Sequence, residues 1–264
     1  MGWEIVVLVC GMAAEVALIL LMIRGRVFRI FPAFFIYLCW SLLSDTLFYY
    51  VGVRYPPATF FRISLIQLAV DSAMIFALLV EIAWSVLRPI RSSLPKYSWI
   101  GIAALIAIGG LILWPIAGLA APSNLAPDGM NFFRLQQTPA ILRAIFFLAL
   151  AGFSQVLSIG WRDRELQIAT GLGFYSIVSL AVTILHTHQL TGTQPYHWLD
   201  VLAGVSYLAA LGYWVYAFAT QPAERREFTP QMRSMLLAVA GAARTTRVAL
   251  KDSESDNTRK GRER

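Results

Sequence analysis

Seven apolar stretches divide the chain, at residues 5–23, 31–52, 60–84, 98–119, 138–160, 166–187 and 198–219, and polar residues gather in the gaps between them. Each stretch is close to the roughly 20 residues that a helix needs to cross a hydrocarbon core of about 30 Å. A closed barrel would instead write short alternating strands, and runs such as Ile5-Val6-Val7-Leu8-Val9 and Gly101-Ile102-Ala103-Ala104-Leu105 do not alternate. The pattern predicts an all-α membrane protein, a seven-transmembrane-helix bundle.

Polar residues inside the spans repeat at helical spacing. Ser41, Ser44, Asp45 and Phe48 share one face of the second span, and Ser64, Gln67 and Asp71 share one face of the third. The sixth carries Tyr175, Ser179, Thr183 and His186 in the same way, and the seventh carries Asp200, Gly204 and Tyr207. The fourth has no charged group and is expected to face lipid most. A charge at the bilayer centre costs a few kcal/mol unless it meets a partner or a wet cavity, so Glu15, Asp45, Asp71, Arg143 and Asp200 call for an explanation.

Most of these groups fall in the outer halves of their spans. They predict an outward-facing polar pocket formed by Asp45, Gln67, Asp71, Arg143, Tyr175, His186, Asp200 and Tyr207, in which Arg143 pairs with Asp45 or Asp71 at rest and a small polar ligand competes. The alternative is a structural ion pair that locks neighbouring helices. Glu15 reads as a protonated carboxyl bonded to a neighbouring helix, and Glu81 as a side chain reaching the cytoplasmic interface beside Trp84 and Arg88.

Charge then gives the orientation. Arg24, Arg26 and Arg29 follow the first span, Arg88, Arg91 and Lys96 the third, Arg162 and Arg164 the fifth, and ten more basic residues the seventh. The other side and its helix ends hold only Arg54, Arg62, Arg134 and Arg143. The positive-inside rule therefore predicts an amino terminus outside and a carboxyl terminus in the cytoplasm. The net charge of +7 is thereby topological, and no nucleic-acid partner is implied. A hydrophobic content of 58% against 14% charged residues agrees with lipid as the main solvent. The expected localisation is the cell membrane, the cytoplasmic membrane in a prokaryote, with multiple passes.

The first span follows Met1-Gly2-Trp3-Glu4 and precedes its arginines, so it reads as a retained helix and not a cleaved signal. Val6 stands where a myristoylation signal needs Ser or Thr. Cys10 and Cys39 lie at depths roughly 10 Å apart, too far for a disulfide, and read as packing residues. The predicted organisation is a transmembrane domain over 1–221, a cytoplasmic amphipathic segment over 222–251 and a disordered tail over 252–264. In the middle segment Met232, Met235, Leu236, Val239 and Ala243 recur beside Arg233, Arg244 and Arg247, as in an interfacial helix or a docking surface for a cytoplasmic protein. A tail of this size holds no effector domain, so any signal would pass to a separate protein. The outer segment 121–137, with Asn131-Phe132-Phe133, is read first as a plain surface loop and alternatively as a lid able to cap the bundle mouth.

Catalytic and cofactor signatures are incomplete: no cofactor is expected, and the balance leans away from an enzyme while leaving that question open. A retinal Schiff base needs a lysine within the bundle, and Lys96, Lys251 and Lys260 all fall on the cytoplasmic side. Gly171-x-Gly173 lies inside an apolar span, where glycines allow close helix packing, and Gly152-Phe153-Ser154-Gln155-Val156 lacks the last glycine of a nucleophile elbow. His186, His188, His197 and Asp200 gather near the outer ends of the last two spans, and such side chains suit zinc. With seven spans and Ser41-x3-Asp45, the chain loosely resembles the superfamily of alkaline ceramidases and adiponectin receptors. That resemblance would imply a membrane-embedded metal-dependent hydrolase. Its zinc pattern uses a Ser-x3-His pair, an Asp and a His-x3-His pair. Here Asp45 replaces the first histidine, no His-x3-His occurs, and His186 and His188 point to different helix faces, so no metal ligand is assigned. A small-molecule or proton-coupled transporter is a further alternative, though no duplication relates the first three spans to the last three. Pro32, Pro115 and Pro139 are read as lying near helix ends. The topology resembles the seven-helix sensor modules of bacterial membrane receptors, which makes a receptor-like sensor or partner-binding scaffold the leading expectation.

Overall fold

The computed structural model describes residues 2–54, 56–87, 97–121, 127–153, 163–187 and 197–220. These residues form seven α-helices and no strand: α1 (Gly2–Arg24), α2 (Pro32–Arg54), α3 (Pro57–Val86), α4 (Ser98–Ala117), α5 (Pro127–Gly152), α6 (Arg164–Thr187) and α7 (His197–Ala219). Single 3-10 turns follow α1 at Val27–Arg29 and α4 at Gly118–Ala120. Six helices are long and apolar enough to cross a membrane; in α2 the described apolar stretch, Pro32–Leu47, is shorter. The predicted amphipathic segment and tail, 222–264, and His188 lie outside the described residues.

Proline opens three of the helices, Pro32 in α2, Pro57 in α3 and Pro127 in α5, where a missing N–H removes a donor that would lack a partner anyway. The next donors of α2 are satisfied from another helix. The backbone N–H groups of Ala33 and Phe34 donate to Glu81 Oε1 and Oε2 at 2.8 and 3.0 Å. Glu81 thus caps α2 and complements its positive end, correcting the expectation that it simply extends to the interface.

The largest departure from the predicted boundaries is α5, which starts at Pro127 and not near 138. Residues 127–137 are helix, not a loop over the bundle mouth. The Pro, Gly and Asn content reads as loop locally, but this turn-rich sequence gains an apolar partner: the Phe132 ring packs 5.8 Å from Phe61 of α3. Pro139 consequently sits inside α5, correcting its placement at a helix end. Proline there leaves the Leu135 carbonyl without its usual helical donor. The Ser72 hydroxyl, bonded at 2.7 Å to the Leu68 carbonyl of its own helix, lies 3.4 Å from the Leu135 carbonyl.

Helices α1, α2, α3, α5, α6 and α7 contact one another in that order, and α7 returns to α1, closing a ring. The uncharged α4 lies outside it against α3 and α5, with Leu105, Leu111 and Ile112 exposed. Half of the ring is solid. Leu18, Met22, Phe34, Leu38, Leu78, Ile82, Leu166, Leu211 and Trp214 form its core, with Phe34 and Trp214 edge to face at 5.2 Å. At this end Arg164 of α6 donates to the Ala217 carbonyl and, at 2.8 Å, to that of Thr220, satisfying the end of α7, while its guanidinium sits 4.6 Å from the Phe218 ring centroid. The Trp214 indole donates to the Gln167 carbonyl at 3.2 Å, and Ser85 donates to Glu165 at 2.7 Å.

Small residues permit this packing. A Cβ added at Gly171 would collide with the Trp214 ring, and one at Gly173 with Phe147. Both cysteines are free thiols. Cys10 is exposed, so it does not pack in the interior as expected, and Cys39 is partly buried.

Candidate functional site

The other half of the ring, where α1, α3, α5 and α7 begin and α2 and α6 end, is hollow. Inward positions that hold Phe34, Leu78 and Trp214 in the solid half are taken here by small or polar residues such as Gly11, Ser41, Ser44, Ala140 and Gly204. The result is a cavity of about 780 Å³, within the range of small-molecule sites. All six ring helices contribute walls, and α4 contributes none. Tyr37 and Ile75 line it next to the residues Leu38 and Leu78 of the core.

Six residues predicted to share a pocket meet here: Asp45 on α2, Gln67 and Asp71 on α3, Arg143 on α5, Tyr175 on α6 and Tyr207 on α7. His186 and Asp200 occupy helical positions at the same end of α6 and α7, but their side chains fall outside the described residues, as does that of His197 at the start of α7. Among the described residues, no group of three or more His, Cys, Asp or Glu is placed to hold a metal.

The charged groups do not pair as expected. Arg143 is 8% exposed, lines the cavity, and its Nε has no hydrogen-bond partner. Its guanidinium carbon lies 5.7 Å from the centroid of the Tyr175 ring, which in turn meets Tyr207 edge to face at 5.5 Å. This is cation–π geometry, in which the ring quadrupole attracts the cation. Among the described residues no carboxylate forms an ion pair with Arg143. Asp71 is engaged by a different donor, the Trp40 indole N–H at 2.5 Å from Oδ1, and Asp45 receives no hydrogen bond from a described side chain. The predicted resting pair of Arg143 with Asp45 or Asp71 is therefore replaced by a cation on an aromatic shelf and carboxylates elsewhere on the wall.

Beneath the wall lies Glu15, fully buried in mid α1. Its Oε1 accepts from Ser41 of α2 at 2.7 Å and from the Tyr207 hydroxyl of α7, while Oε2 has no partner. Three helices are joined by this one carboxyl group. The sequence shows that Glu15 needs a partner but not which one, because Ser41 and Tyr207 are 26 and 192 residues away. Trp40 is likewise absent from the predicted stripes, since its apolar ring hides an N–H that needs an acceptor when buried. Gln137 is a third omission: it donates to Thr183 of α6 at 3.2 Å, and its stretch of sequence reads as loop.

These features define a multi-pass helical membrane protein whose helices enclose a polar, charged cavity at one end. The chain matches no protein-family model, no curated protein and no solved structure.

Proposed function

We propose that the chain crosses the cell membrane seven times, amino terminus outside and carboxyl terminus in the cytoplasm, as a receptor-like sensor or partner-binding scaffold. A small polar ligand enters the cavity from outside, and the response passes to a separate cytoplasmic protein, for which the basic segment 222–251 is the expected contact. The observation that carries this reading is Arg143: an arginine 8% exposed as a residue, lining a cavity, with no ion pair among the described residues. A buried charge is costly unless paired, and a ligand group would supply the pair. The clustering of Lys and Arg in alternate gaps supports the orientation. The solid half, filled by Phe34, Leu78 and Trp214, ends the cavity within the bundle, which suits a receptor better than a conduit.

Thiol labelling tests the orientation and the access together. Gln136 lines the cavity and is exposed. In a Cys10→Ala, Cys39→Ala background, Gln136→Cys is expected to react with a membrane-impermeant maleimide in intact cells, while a reporter fused to the carboxyl end reads cytoplasmic. Labelling only after permeabilisation would overturn the outward orientation.

A further inference from the structure

Resting on the pocket reading above, we propose that the cavity is selective for a small zwitterion, its anionic group held by Arg143 of α5 and its ammonium group by Asp45 of α2. The two groups share one cavity but not one another. Arg143 stands 5.7 Å from the Tyr175 ring centroid with its Nε unbonded and no described carboxylate within ion-pair distance, so among the described residues its guanidinium lacks a charge partner, and a carboxylate or phosphate matches it in a bidentate way. Asp45 takes no hydrogen bond from a described side chain and offers both oxygens as acceptors.

The third charged group of the wall is already engaged. Asp71 accepts the Trp40 indole N–H, which orients it and reduces its capacity for a ligand. Among the described wall residues Arg143 is then the one cation, and Asp45 is the carboxylate with no described donor, the two carried by helices with α3 between them. A singly charged ligand would satisfy one and leave the other desolvated without a partner, and a molecule bearing both charges satisfies the two together. The ring hydroxyl of Tyr207, held by Glu15 and near Ser41 at 3.3 Å, is turned to the wall and does not compete for either charge. A volume of about 780 Å³ admits a free amino acid or short peptide with its water, and equally the headgroup of a zwitterionic phospholipid.

The test uses the full chain in nanodiscs made only of phosphatidylglycerol, which carries no zwitterion. Isothermal titration is run with a set of L-amino acids and dipeptides, with glycerophosphoethanolamine, and with acetate and ethylamine as singly charged controls. The expected result is saturable binding of a zwitterion from one of the first two sets, with acetate and ethylamine silent. Arg143→Gln and Asp45→Asn should each weaken that binding at least about tenfold while the protein remains monodisperse, as loss of a hydrogen bond to a charged group requires. Binding by the free amino acids or peptides identifies a soluble ligand, and binding by glycerophosphoethanolamine identifies a lipid headgroup. Zwitterion binding that survives Asp45→Asn, or acetate or ethylamine binding as tightly, would overturn the two-charge assignment but leave a polar pocket standing. Silence of every probe would overturn both.

Discussion

Gly171→Val is expected to remove most of the folded protein. A side chain there would enter space held by the Trp214 ring, which is almost fully buried and bonded through its indole N–H to the Gln167 carbonyl of the same helix as Gly171. Neither partner has room to give way, since Trp214 also meets Phe34 edge to face. Overpacking of this kind costs about 1–3 kcal/mol and occasionally more. Losing the indole bond adds about 1 kcal/mol. Gly212→Ala is the matched control: it lies on α7 near Trp214, but an added methyl meets nothing within 4 Å. It should express and melt like the parent or slightly better, because alanine is the stronger helix former. Fluorescence-detected size exclusion followed by a thermal ramp gives both readings. A Gly171→Val protein that elutes and melts like the parent would mean that α6 and α7 do not pack as described.

Arg143→Leu is expected to do the reverse, abolishing ligand-dependent stabilisation or response with folded yield largely kept. The guanidinium makes no ion pair with a described carboxylate, and its Nε makes no hydrogen bond, so truncating it strands no described partner. A buried charge without a partner is costly in itself, and an apolar residue in its place removes that cost. Glu15→Leu provides the contrast. It leaves the hydroxyls of Ser41 and Tyr207 without their shared acceptor, at a cost of about 1–3 kcal/mol for each buried group, and loosens α1 from α2 and α7. Yield should fall in Glu15→Leu and hold in Arg143→Leu. Equal loss of folded protein in the two would favour a purely structural role for Arg143.

The sequence reveals what repeats along one helix and hides what joins two. Asp45, Asp71, Tyr175 and Tyr207 stand out because a polar residue every third or fourth position in an apolar span marks an inward stripe, and the structure gathers them round one cavity. Arg143 stands out by cost alone. What it meets depends on helix rotation and distance, and local spacing carries neither. Trp40 takes Asp71, and Tyr175 takes Arg143, through contacts between residues 31 and 32 positions apart. Glu81 shows the same limit: a carboxylate near a helix end suggests the interface, whereas its actual acceptor role is set by α2, 47 and 48 residues earlier. The start of α5 was obscured for a different reason. Pro127 and Pro139 are both legitimate helix openers in a local reading, and tertiary contacts such as Phe132 on Phe61 and Gln137 on Thr183 accompany the earlier one.

Radiolytic hydroxyl-radical footprinting of the full chain in nanodiscs asks directly whether the hollow half of the ring holds water. Tyr175 and Tyr207 line the cavity and are partly exposed, and they should be modified clearly faster than Phe34 and Trp214, which are buried in the solid half. Protection of Tyr175 and Tyr207 equal to that of Phe34 and Trp214 would contradict a wet pocket and leave the charges with a structural role alone.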